Sequence, residues 1–125
     1  MQFKSAHFWD SIEKSDSERR NTWYQTSIQK DLGLLNDWKA ENTNTADWHK
    51  MNIPGYCADH ELGPKNGVVW FRKKIEIPEN LADNPVKLLM GRIVDADSVF
   101  VNGTFVGNTT YQYPPRRYSI PAGVL

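Results

Sequence analysis

Hydrophobic residues follow one spacing before residue 45 and another after it. Phe8, Trp9 and Ile12 recur at three- and four-residue intervals, with Phe3 and Ala6 close by. This predicts a short amphipathic helix over about residues 5–14. Ser15 and Asp16 are expected to break it, and Ser17-Glu18 offers a capped start for a second helix. Trp23, Ser27, Ile28 and Leu32 form the stripe of that second helix, with Gly33 as its terminator. Glu41-Asn42-Thr43-Asn44-Thr45 has the composition of a loop.

Beyond the loop the period falls to two. Trp48, Met51 and Ile53 precede Pro54-Gly55, as a short strand entering a turn would. Gly63-Pro64-Lys65-Asn66-Gly67 is dense in turn residues. Over residues 68–77, Val69, Phe71, Ile75 and Ile77 alternate with Trp70, Arg72, Lys74 and Glu76, a strand pattern that Pro78 ends. A further strand is expected over 86–94. Val99-Phe100-Val101 and Thr104-Phe105-Val106 flank Asn102-Gly103, the preferred pair for a type I′ hairpin. Arg117-Tyr118-Ser119-Ile120 is the last strand. The pattern therefore predicts a mainly β sandwich with an N-terminal helical segment: a helical lead-in over 1–44 and the sandwich over 45–125.

Composition narrows the chemistry. The chain has 125 residues with 15 Lys+Arg against 15 Asp+Glu, a formal net charge of zero. Nucleic-acid binding needs a basic face or excess, so a nucleic-acid partner is not expected. No apolar run approaches the roughly 20 residues of a membrane span, so no membrane partner is expected either. The single cysteine, Cys57, excludes an intrachain disulfide framework and any multi-cysteine zinc site. No Gly-x-Ser-x-Gly or Gly-Asp-Ser nucleophile motif occurs. His7, His49 and His60 fall in an expected helix, strand and loop, none beside an obvious serine. Cys57-Ala58-Asp59-His60 carries three ligand types in four residues, but its spacing fits no common zinc pattern.

Asp95 and Asp97 stand two apart between strands. Paired carboxylates serve glycoside hydrolysis, but one short loop rarely supplies the cleft. The alternative is a turn cap and an ion pair with Arg116 or Arg117, and that pairing is the expectation. Tyr111, Tyr113 and Tyr118, with Pro114-Pro115 between, form either a sugar-stacking platform or the packed end of the sandwich. Trp23 and Trp48 are expected in the core. Asn102-Gly103-Thr104 and Asn108-Thr109-Thr110 are glycosylation sequons, the first already explained by its turn.

Several of these blocks resemble a known family. Asn66-Gly67-Val68-Val69-Trp70-Phe71-Arg72-Lys73 resembles the corresponding strand of the non-catalytic jelly-roll domains of family 2 glycoside hydrolases and their relatives. Residues 88–107, with Gly91, the Asp95-Ala96-Asp97 triplet and Val101-Asn102-Gly103, resemble the Gly…Asp-x-Asp…Asn-Gly block of the same domains. The Asp-x-Asp version, followed by Tyr113-Pro114-Pro115-Arg116-Arg117-Tyr118-Ser119-Ile120-Pro121, is similar to sialate O-acetylesterases, with one extra proline or arginine. Asp47-Trp48-His49-Lys50-Met51-Asn52-Ile53-Pro54 is similar to that family's approach to the sandwich. The resemblance covers about residues 45–125.

The resemblance implies a galactose-binding-like jelly roll inserted into a catalytic domain of the SGNH hydrolase class, whose parent enzyme removes O-acetyl groups from sialic acid. It implies that this chain is that inserted domain, without catalytic residues, cofactor or metal, and lacking a last strand, which leaves an unpaired edge. Its partners would be the parent's catalytic domain and sialylated or other glycans. The parent would be exported, to a periplasmic, secreted or lysosome-like compartment. Trp70, Arg72, Asp95, Asp97, Asn102, Gly103, Arg116 and Arg117 would be its structural motif, and Tyr111, Tyr113 and Tyr118 its sugar-facing candidates. The other reading is a carbohydrate-binding or spacer sandwich from a family 2-like glycosidase.

Overall fold

The computed structural model of the chain describes residues 6–59, 63 and 67–125. Phe3, His60 and residues 64–66 of the expected turn lie outside the described residues. The chain divides into two compact units, Met1–Leu35 with Lys50–Trp70, and Asn36–His49 with Phe71–Leu125. Both units draw on both sides of residue 45.

In the first unit, residues 6–29 form one helix, α1 (Ala6–Gln29, 24 residues), not two. Ser15 and Asp16 do not interrupt it. Each costs a helix only about half a kilocalorie per mole relative to alanine, which the turns on either side absorb. Breaking the run would take proline or glycine. The expected apolar stripe is not covered: Trp23 is 56% exposed, so it is not a core residue, and Ile28 is also exposed. Trp23 instead packs edge-on against Tyr24, centroids 5.2 Å apart.

Gly33 does not terminate α1. It lies inside a second short helix, α2 (Leu32–Leu35), and is buried. Asp31 caps α2, its Oδ1 accepting from the Gly33 amide at 2.8 Å. The same oxygen accepts from the Trp70 indole N–H at 2.7 Å. A Cβ on Gly33 would overlap the Trp70 ring, so only glycine permits this close approach. Residues 48–53 form no strand, and Cys57–Asp59 is a single 3₁₀ turn.

The second unit holds a short helix, α3 (Glu79–Ala82), and four strands. These are β1 (Val86–Gly91), β2 (Asp97–Val101), β3 (Thr104–Thr109) and β4 (Arg116–Ile120). β1 pairs antiparallel with β4, and β2 with β3. The strands hold 6, 5, 6 and 5 residues against 24 in α1, so the described chain is mixed rather than mainly β. Its architecture is a helix and two small antiparallel sheets.

Residues 68–77 do not form the expected strand. Alternation specifies a strand only where a neighbour accepts its backbone groups, and no ladder is formed there among the described residues. Phe71 and Ile75 are correspondingly 57% and 61% exposed. The segment is held by Arg72 instead. That guanidinium donates to the carbonyls of Trp38 (3.0 Å), Ala40 (2.6 Å) and Glu41 (2.7 Å).

Two local features set the sheets. Asn102 and Gly103 sit at φ 47° and 79°, the two positive values a type I′ turn requires. This closes the β2–β3 hairpin with Phe100 and Phe105 paired edge to face across it, 5.6 Å apart. In β1, Met90 is an extra residue opposite β4, with Gly91 at φ 66°. The inward face of β4 is the core of the unit: Arg116, Tyr118 and Ile120 are buried, while Arg117 and Ser119 face out. Tyr118 lies flat against Gly107 of β3, where a Cβ would strike its ring, so the two sheets meet there. No helix among the described residues is long and apolar enough to cross a membrane.

The Asn102 side chain also donates to the Val124 carbonyl at 2.8 Å. Asn102→Ala is expected to lower stability by about 1–2 kcal/mol, from the positive φ and the lost hydrogen bond. Asn102→Gly relieves the first cost and keeps the second. Urea denaturation of both variants checks this, and equal destabilisation by the two would contradict the turn assignment.

Candidate functional site

The densest polar arrangement in the second unit is built where β4 begins. The alternation of β4 turns Arg116 inward, although arginine is rarely buried without a partner. Its side chain is fully buried, and every nitrogen is occupied. Nε donates to Asp97 Oδ1 at 2.5 Å, Nη1 to the Pro114 carbonyl at 2.8 Å, and Nη2 to the Asp95 carbonyl at 3.1 Å. The expected pairing between the acidic triplet and the arginines is therefore Asp97 with Arg116. Asp95 contributes its backbone, its side chain being exposed, and Arg117 faces outward.

The second Asp97 oxygen extends the network. Tyr118 donates its hydroxyl proton to Oδ2 at 2.5 Å. With that proton used, the 2.8 Å contact between Tyr118 and Thr109 has Thr109 as donor. The order is thus Thr109 to Tyr118 to Asp97, with Arg116 meeting the same carboxylate from the other side. Burial pushes the Tyr118 phenol above its ordinary value of 10.0, and its hydrogen bond to the Asp97 carboxylate adds to the rise.

This geometry separates residues that the sequence groups together. Tyr118 is a core residue, only 8% exposed, and cannot stack on a sugar. The ring is buried because position 118 shares the inward face of β4 with 116 and 120. Tyr111 and Tyr113 are exposed, Tyr113 by 70%, on the loop between β3 and β4. Asp97 is committed to Arg116, so the two aspartates do not form a free carboxylate pair.

The remaining candidates scatter. His7 falls within α1, and His49 lies in irregular chain rather than a strand. Cys57 is a half-buried free thiol. Among the described residues, no three His, Cys, Asp or Glu side chains gather as a metal site. Trp70 and Arg72 both act on other segments, Trp70 through Asp31 and Arg72 through the 38–41 carbonyls. The sequons end at Asn102 in its turn and at Asn108, exposed on β3.

One feature escapes a reading of residue patterns. Two successive turns, with Ala40 N–H to Asp37 carbonyl at 3.0 Å and Thr43 N–H to Ala40 carbonyl at 3.2 Å, fold residues 36–44 around an open groove of about 390 Å³. Asp37 takes φ 52° to allow it. Trp38 is half-buried there and packs at 66° against Trp48, centroids 5.1 Å apart. The asparagine-rich composition signals a loop, but not its concavity. Compared with family models, curated proteins and solved structures, the chain matches none of them.

Removing Asp97 strands a buried guanidinium. Asp97→Ala is expected to cost about 3–5 kcal/mol in urea denaturation, and the double change Asp97→Leu with Arg116→Met distinctly less than that single change. A double variant weaker than the single would overturn the account of the pair.

The Tyr118 phenol has its pKa raised on folding, so its contribution is fully present below about pH 10. It is lost as pH climbs from there through the folded value. Tyr118→Phe is expected to lower stability at neutral pH by about 1–2 kcal/mol and to flatten the alkaline decline. Denaturation midpoints from about pH 8 to 11 test it, and an unchanged alkaline slope would count against the raised phenol.

Proposed function

We propose that the chain is a non-catalytic accessory domain of a sialate O-acetylesterase, of jelly-roll type, that packs on the parent's catalytic domain and helps to position its glycan substrate. The parent, on this reading, is an exported ester hydrolase. The observation that carries the proposal is the Asp97–Arg116 pair. It joins the acidic triplet to the Tyr-Pro-Pro-Arg segment, the two blocks on which the esterase resemblance rests. The roles of Trp70 in holding the Asp31 carboxylate, and of Arg72 and Asn102 in holding backbone carbonyls, also fit a structural motif better than a catalytic one.

A second reading, the carbohydrate-binding or spacer sandwich of a family 2-like glycosidase, is supported by Tyr111 and Tyr113. Both rings stand in solvent on one loop, where they are free to stack on sugar faces.

The purified chain is expected to hydrolyse neither O-acetylated sialic acid nor an aryl acetate above background. It is expected to associate saturably in trans with the SGNH-type catalytic domain of a sialate O-acetylesterase, measured by calorimetry. Ester turnover by the chain would overturn the accessory role. Association with a family 2 glycosidase catalytic domain alone would favour the second reading.

A further inference from the structure

We propose that residues 71–77 are an interface strand that pairs antiparallel with the same segment of a second copy of this chain, a pairing that does not rest on the accessory-domain reading. The segment carries an unused ladder. Residues 71–78 run on without turn, bend or bridge, and Phe71, Ile75 and Ile77 alternate with Arg72, Lys74 and Glu76 as they would in a strand. Among the described residues, no backbone N–H or carbonyl of 71–77 is hydrogen-bonded within the chain. Phe71 and Ile75 stand beside this row, both more than half exposed. Free donors and acceptors flanked by exposed apolar side chains are a template for strand addition.

The segment is also held at both ends. Near its start the Arg72 side chain is tied to the carbonyls of Trp38, Ala40 and Glu41. At its close Ile77 is half-buried, and Pro78 leads directly into α3. A strand fixed in this way loses little entropy when a partner arrives.

Charge and register choose the partner. In an antiparallel pair centred on Ile75, Ile75 faces its own copy, and each Lys74 faces the Glu76 of the other chain. Opposite charges then stand directly across the pair twice, on the face away from Ile75. Lys74 and Glu76 are exposed and have no ion pair within the chain, so both are available. The bonded positions are Lys73, Ile75 and Ile77, which leaves Pro78, lacking an N–H, out of the ladder. Centring the pair on Lys74 instead would set that lysine against itself. Lysines on an edge guard it against indiscriminate pairing, and a partner presenting Glu76 in register is what overcomes that guard.

The test is sedimentation equilibrium of the whole chain from about 10 μM to about 1 mM, with amide hydrogen exchange at both ends of that range. The chain is expected to pass from monomer to dimer with a dissociation constant of about 0.1 mM. The amides of Lys73, Ile75 and Ile77, but not those of Lys74 and Glu76, are expected to gain protection as concentration rises. Lys74→Glu and Glu76→Lys should each weaken self-association by about tenfold, with an unchanged melting temperature because both positions are exposed. Mixed in equal amounts, the two variants again oppose unlike charges and should form a heterodimer as tight as the original dimer. The proposal is overturned by a chain that stays monomeric throughout the range, by either variant self-associating at the original strength, or by a mixture that stays monomeric. Protection of the same amides only when the catalytic domain of a sialate O-acetylesterase is added would also overturn it, and would assign the edge to that partner. None of these results depends on ester turnover, so self-pairing and the accessory role fail separately.

Discussion

A guanidinium taken wholly out of water is the constraint around which the second unit is organised. Desolvating Arg116 and Asp97 costs several kilocalories per mole for each ion, and attraction between them offsets this only with good geometry and further hydrogen bonds. Both conditions are met. The carbonyls of Asp95 and Pro114 take the remaining guanidinium nitrogens, and Tyr118 takes the second carboxylate oxygen. Those partners come from the turn before β2, the loop before β4, and β4 itself. The ion pair with its hydrogen bonds therefore fastens two segments, around Asp95–Asp97 and around Pro114–Tyr118, whose bonded residues lie 19 to 21 positions apart in sequence. It also fixes register: sliding β4 by one residue would turn Arg117 and Ser119 inward and expel Arg116, Tyr118 and Ile120 together.

Arg72 works by the complementary route. Its guanidinium is not buried, and its partners are three backbone carbonyls rather than an acid. A planar donor fork suits carbonyls that diverge around a turn, which a lysine ammonium would serve less well. Because the buried apolar side chains of the described core are few, Tyr118 and Ile120, loop geometry here depends on polar anchoring more than on packing. The two arginines divide that task, one holding the sheet ends and the other the 36–43 turns.

What could be read in advance follows from how local each cause is. The Asn102-Gly103 hairpin was legible because its positive φ values are a property of two adjacent residues. The Asp97–Arg116 pair was legible because an acidic triplet and a basic pair at the ends of two strands have few other ways to be neutralised. The break at Ser15-Asp16 was misread because weak helix formers were given the weight of true breakers. The strand over 68–77 was misread because alternation describes one side of a ladder and says nothing of whether the other side is present. Tyr118 could be assigned inward only once β4 was known to begin at Arg116, a residue that hydrophobic patterning marks as outward. The groove depended on Arg72 reaching back more than 30 residues to loop carbonyls, an interaction with no local signature.

A carboxylate acting as general acid or base must exchange its proton with a substrate near neutral pH. Asp97 accepts from Arg116 through Oδ1 and from Tyr118 through Oδ2, so both of its oxygens are engaged within the fold. Tyr118 is protonated and buried. Tyr111 and Tyr113, by contrast, keep their rings exposed on the loop between β3 and β4. The strongest electrostatic interaction of the second unit is consumed in making its architecture: the Asp97–Arg116 pair, with Tyr118 on the same carboxylate, joins β2 to β4.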